Sequence, residues 1–140
     1  MKLKNIFPIC LLFISTLGLP QPSPAEEKIE VIPIIQSSKG LSGKKFNYLD
    51  GKPELRLLKV KIPAGLKTPI HSHPSPMLIH VTRGRLKHVR GEEINFFKAG
   101  DAFIESNNGS AHYVKNVGKL PAFLVVGVVW VVGMPTAINE

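Results

Sequence analysis

The 140-residue chain predicts an all-β fold built as one small domain. Three observations carry this. Short runs rich in branched and aromatic residues are separated by Gly, Pro, Asn and Asp at near-regular spacing. Leu58-Lys59-Val60-Lys61-Ile62 alternates strictly between apolar and basic, the pattern of a half-buried strand. Outside the N-terminal segment no stretch carries a helical apolar period. Many short strands in one domain point to an antiparallel sandwich or barrel. With 44% hydrophobic and 20% charged residues, the composition excludes disorder, and the length excludes a large multidomain enzyme.

The first 25 residues read differently. Lys2 and Lys4 form a basic start, and residues 6–19 are mostly apolar, interrupted by Pro8, Ser15, Thr16 and Gly18. Ser23 and Ala25 are the small residues of a cleavage site. This order predicts a secretory signal at residues 1–25, cut after Ala25, with an uncleaved N-terminal anchor as the alternative. The apolar run falls short of the roughly 20 residues a spanning helix needs. Cys10 lies deep in that run with no small residue before it, so it does not read as a lipid-attachment site. The expected destination is the periplasm or the exterior, with no stable membrane anchor after cleavage.

Residues 26–140 number 115, with 16 basic and 10 acidic side chains and no cysteine. Disulfides and a thiol nucleophile are therefore excluded from the mature chain. Any transition-metal site must use His, carboxylate or Met. The basic excess shows neither a dense run nor aromatic interleaving along the sequence. It predicts a solvated surface rather than a nucleic-acid partner.

Residues 29–35, rich in branched side chains, predict a strand with Pro33 at an edge or bend. A loop over 37–43 and an Asp50-Gly51 turn complete an N-terminal region, 26–54. Residues 55–132 form the expected core domain. Within it, strand 58–62 ends at Pro63-Ala64-Gly65, and strand 77–82 closes at Gly84. Residues 85–90 and 93–97 flank Gly91 as a hairpin. Gly100-Asp101 turns into 102–105, and Asn107-Asn108-Gly109 turns again before 112–115, so Asp101 reads as a turn residue. The valine-rich segment 122–132 is a buried strand, since it is too short to span a membrane as a helix and carries β-branching and Gly127. Phe123 and Trp130 read as core or barrel lining, and residues 133–140 as a C-terminal tail.

His71 and His73 are two apart, so in extended chain they point to one face. Gly65 precedes them by six positions, and Met77 and Gly84 follow. Downstream stand Gly100, Ser106, Gly109, His112 and Asn116. Over roughly residues 55–132 this frame resembles the two signature motifs of the cupin superfamily. The first motif is matched at both glycines and both histidines. The second is matched at Gly100, His112 and Asn116, with Ser106 where proline is usual and one extra residue before Gly109.

The resemblance implies a cupin-type antiparallel jelly-roll barrel, commonly homodimeric, with a divalent metal inside. The ligands it implies are His71, His73, His112 and an acidic residue of the first motif. That acidic position is Met77 here. Three readings follow from ligand softness. Three histidines with open water positions would hold Fe, Zn, Mn or Ni. Met77 as a fourth, soft ligand would favour Cu. Alternatively the metal is lost and Met77 fills the core. A missing carboxylate leaves a bound ion more Lewis acidic and less tightly held.

Glu105 shares one face with Phe103, opposite Ala102 and Ile104. Facing inward, it could ligate the metal or act as catalytic general base; facing outward, it is an ordinary surface acid. His80 reads as a surface residue or part of the mouth, and His88 receives no role. No Ser-His-Asp order, phosphate-binding loop or paired-carboxylate motif stands out. The expected function is an exported metalloenzyme acting on a small molecule, with dioxygenase-like chemistry favoured by the resemblance. A non-catalytic barrel binding a small ligand or metal is the alternative. A further alternative is a metal-free homodimeric scaffold whose valine-rich last strand joins a partner's sheet.

Overall fold

The computed structural model describes residues 27–140, so the signal segment and Cys10 lie outside the described residues. Ile32–Glu140 forms one compact unit. Nine strands run in it: β1 Pro53–Ile62, β2 His71–Ser72, β3 Met77–Arg83, β4 Arg85–Arg90, β5 Glu93–Lys98, β6 Ala102–Glu105, β7 Tyr113–Asn116, β8 Ala122–Val131 and β9 Ile138–Asn139. Every named strand pair is antiparallel. Among the described residues there is no helix. The all-β jelly-roll expectation holds.

Two sheets face each other across a shared core. One has the order β1-β8-β3-β6 and the other β5-β4-β7, with β2-β9 as a two-stranded patch. Inward parity on β8 places Ala122, Leu124, Val126, Val128 and Trp130 in the core beside Ile62, Ile79 and Val81. Leu86 and Val114 enter the same core from the second sheet. All nine strands lie between Pro53 and Asn139, and Leu41 packs on their core from the preceding segment, so the described core falls within the one compact unit.

Three expectations are corrected. Residues 29–35 form no strand; Ile29 and Val31 are 97% and 91% exposed. Branched side chains favour a strand only where a sheet edge and a packed face receive them. The valine-rich strand β8 is not a free edge, because β1 pairs with it on one side and β3 on the other. Phe123 points to the outer face, where the Lys59 ammonium lies 5.4 Å from its ring centroid. Trp130 does sit in the core and donates from Nε1 to Met134 O at 2.9 Å.

The first strand begins at Pro53, earlier than its alternation suggested. Leu55 and Leu57 face outward and are exposed, while Arg56 points inward. Side-chain parity runs unbroken along β1, so at this end the inner face is polar and the outer face apolar. Gly84 shows why its motif needs glycine. Its φ is +96°, and a Cβ there would meet the Ala122 Cβ at 2.7 Å.

Candidate metal centre and its buried carboxylate

Backbone pairing brings the two motifs together. His71 N donates to His112 O and His112 N to His71 O, both at 2.9 Å. Residues that exchange both bonds project to the same side of the sheet. His73, two positions on, joins that side. One ring nitrogen from each of the three histidines lies within 4.8 Å of the other two. Their ring centroids are 4.6–5.2 Å apart.

Two of the rings are oriented from behind. His71 Nδ1 donates to Pro69 O at 2.8 Å, and His73 Nδ1 donates to Thr136 O at 3.0 Å. A carbonyl can only accept, so each Nδ1 carries a proton, and in the neutral ring the lone pair falls on Nε2. This is the outer hydrogen bond that metal-binding histidines typically make. The Thr136 carbonyl is itself held in place. β9 pairs with β2, and Arg56 donates to Thr136 Oγ1 at 3.0 Å. Glu54 grips the same guanidinium at 2.8 and 3.0 Å. The tail that contributed no site residue to the sequence reading thus orients a candidate ligand.

Burial shapes the charge of the site. His112 is 3% exposed, and burial drives its pKa down to about 3, only partly opposed by the Glu105 charge. Burial likewise lowers His73, against the raising effect of its Thr136 bond. Both are neutral imidazoles at neutral pH, the form a metal needs. His112 Nδ1 is buried without a hydrogen-bond partner. Neutral rings, preset lone pairs and an orphaned ring nitrogen fit a transition-metal ion held by His71, His73 and His112.

Glu105 faces inward. It is 2% exposed and pairs across the ladder with Met77, so both side chains line the same cavity. Its Oε1 lies 2.7 Å from His88 Nε2 and 3.8 Å from His112 Nε2. Its Oε2 accepts from Arg90 Nη2. Burial alone would raise this carboxyl; the His88 bond and the charges of His112, His88 and Arg90 outweigh it and hold the pKa below the usual value.

His88 and Arg90 were not recognised from sequence. Both alternate inward with Leu86 on β4, but the opposite parity of that strand is equally basic, so no local signal marks them. His88, Glu105 and His112 form a second group with ligand-like spacing. Arg90 already neutralises its carboxylate, and the His88 and His112 rings stack at 4.6 Å and 27°. Parallel rings do not converge on one ion, so this cluster fits a carboxylate clamp better than a metal. His80 lies on the outward parity of β3, and Asp101 accepts from Lys98 N in its turn at 2.7 Å.

The cavity in front of the histidines measures about 180 Å³ and is mainly apolar, walled by Leu58, Val60, Ile79, Phe103 and Val126. Met77 borders it. The site can therefore hold an ion at one end, a small apolar-bodied ligand in the middle, and a carboxylate within reach.

A family model described as "Cupin domain" matches residues 58–132. No curated protein sequence matches the chain. Three solved structures are similar. The cupin domain of Schizosaccharomyces pombe Cnp3 aligns at TM-score 0.50 and 23% identity, over 61% of this chain and 63% of that one. The DMSP lyase DddQ of Ruegeria pomeroyi DSS-3 aligns at 0.51 and 18%, over 61% and 43%. The oxalate decarboxylase of Lactobacillus farciminis aligns at 0.51 and 23%, over 61% and 26%. The match spans less than two thirds of each of these proteins, and at such identity the likeness is one of fold.

Proposed function

The chain belongs to the cupin family, and from that premise we propose that it is an exported metalloenzyme acting on a small molecule. The observation that carries the reading is the convergence of His71, His73 and His112, with two of their lone pairs set by carbonyls. An all-imidazole set suits Zn, Fe or Ni, with Mn less favoured, and Cu enters if Met77 ligates. When bound, such an ion supplies Lewis acidity or activates water or dioxygen.

The chain's own residues do the rest. The apolar wall excludes water and positions the body of the substrate. Glu105, the carboxylate that lines the cavity, is the general base in this reading and takes a proton from the substrate or from water. Arg90 and His88 keep its oxygens in place. Dioxygenase-like chemistry is the favoured class, and lyase or decarboxylase chemistry on a small carboxylate uses the same parts.

Elemental analysis of residues 26–140, reloaded separately with each ion, tests the site. About one equivalent of metal, lost in His71→Ala, is expected; no uptake of any ion would sink the reading. Copper lost in Met77→Leu would make that side chain a ligand. On any substrate turned over, Glu105→Gln should cut the rate by about 10²–10⁴-fold at unchanged metal content. One observation favours a second reading, a non-catalytic binding barrel: the Glu105 carboxylate is already paired with Arg90 through Oε2 and faces His88 Nε2 through Oε1. A ligand bound equally by the wild type and by Glu105→Gln, with no turnover in either, would favour it; unchanged turnover in Glu105→Gln would instead remove Glu105 as the general base.

We also propose export and a homodimer. The mass of the protein recovered from the cell envelope or medium should place Glu26 first. The exposed Leu55 and Leu57 on β1, beside Val129, are the surface proposed to pair with a second copy. Sedimentation should find a dimer that Leu57→Glu converts to monomer; a wild-type monomer rejects it.

A further inference from the structure

The outer face of the β5-β4-β7 sheet assembles a surface that no single stretch of sequence displays. Cross-strand register arranges it in three rows. Ile94, Val89 and Tyr113 form the first row, and Phe96, Lys87 and Lys115 the second. Lys98 pairs with Arg85 in the third, and Val117 N donates to Arg85 O beside them. Lys67 bridges to Lys115, and its ammonium lies 4.7 Å from the Tyr113 ring centroid. Phe96 is 66% exposed and Ile94 49%, side by side in parity on the edge strand.

Five cations thus surround two exposed apolar side chains. Among the described residues none of the five forms an ion pair. Of the nearby acids, Asp101 borders the face beside Arg85 and Lys98 and exposed Glu92 sits in the β4–β5 turn, yet neither forms an ion pair with the five cations. Asp101 accepts from Lys98 N in its turn, and Glu93 accepts from Asn95 on the inward parity of β5. Unpaired cations around an exposed phenyl ring and an exposed sec-butyl group give this face positive charge beside apolar area, which complements an anionic partner.

We propose that this face docks on an anionic lipid surface, with Phe96 and Ile94 entering the headgroup layer and Lys87, Lys98, Lys115 and Arg85 neutralising phosphates. Lipid is the partner the side chains fit. Apart from the Tyr113 hydroxyl, the rows hold no neutral hydrogen-bonding group that could read base edges or sugar hydroxyls. Ile94 offers no stacking plane for a base. What remains is undirected charge plus apolar insertion, the combination that binds interfaces. The face lies on the opposite side of its sheet from His88 and Leu86, so docking leaves the cavity side of that sheet covered by the protein itself.

The test uses residues 26–140, which keep the whole core but not the apolar N-terminal stretch. Phe96→Trp places a reporter on the face, while Trp130 stays buried as a constant background. Its emission should move to the blue with vesicles of phosphatidylcholine containing phosphatidylglycerol, and stay put with phosphatidylcholine alone. Adding Lys87→Gln and Lys115→Gln should raise the lipid needed for half-maximal shift by about thirtyfold. These are surface positions, so the fold is retained. Phe96→Ser should weaken co-sedimentation of the otherwise wild-type chain with the same vesicles. Equal response to both vesicle types, no response, or unchanged binding of the double lysine variant would each overturn the proposal. Tighter binding to a single-stranded oligonucleotide than to the anionic vesicles would overturn it in favour of nucleic acid.

Discussion

Arg90→Met is expected to cost about 3–5 kcal/mol of folding stability, the size of effect that follows when one partner of a buried ion pair is removed. Arg90 and Glu105 are both buried, and the guanidinium also donates from Nε to Ser110 O at 3.1 Å. Without it, the Glu105 carboxylate stays in a low-dielectric interior with only His88 Nε2 close by, at 2.7 Å. Urea midpoints at pH 7 measure the loss. The double variant Arg90→Met/Glu105→Leu should recover much of it, because replacing both charges by apolar groups removes the unpaired charge as well.

The sign of the pH dependence follows. Glu105 has a folded pKa below 4.5, so the stability it contributes is fully present above that value and is lost as pH falls through the folded pKa. In Arg90→Met the loss should shrink, since protonation then relieves an unpaired charge. Wild-type stability in Arg90→Met would show that the clamp has no structural role.

His112→Ala is expected to weaken metal binding at least about a hundredfold, beyond the 10–100-fold cost of losing an outer-shell partner. Chelator competition on the loaded protein reads this directly. The same variant tests the electrostatics without any metal. Burial depresses the folded pKa of His112 to about 3, so protons bind the unfolded chain more readily than the folded one below the ordinary histidine value. Apoprotein stability should therefore fall as pH drops from about 6.5 toward 3, by up to about 1.4 kcal/mol per pH unit for each such histidine. His73, also lowered, adds in the same direction. Removing His112 should make this acid limb less steep. An unchanged slope would mean that the imidazole is not buried as a neutral ring, and the site would lose its preset ligand.

The histidine frame was legible because its information is local. Two residues apart on a strand means one face, and glycines at Gly65, Gly84 and Gly100 have φ of +76°, +96° and +95°, which other residues rarely adopt. Glu105 was half legible. Alternation paired it with Phe103 but left the inward face open, since Ile104 is apolar too. The register of β3 against β6, Met77 opposite Glu105, turned it inward, and Ile104 O instead accepts from Leu41 N in the segment that covers the other side. His88 and Arg90 could not be read at all. Both parities of β4 carry cations, and their significance arises only where the second sheet closes over Glu105.

The all-β class, the strand alternation, the glycine turns and the three-histidine spacing can be read locally, because each depends on backbone sterics or pleat parity within a few residues. Long-range packing set the remainder. It left residues 29–35 without a sheet edge and enclosed β8 between two neighbours. It carried the Thr136 carbonyl to His73, 63 positions away, and built one basic face from three strands. These outcomes depend on cross-strand register, which is fixed by how two whole sheets bury a common core, and no local pattern records which distant residue will stand opposite.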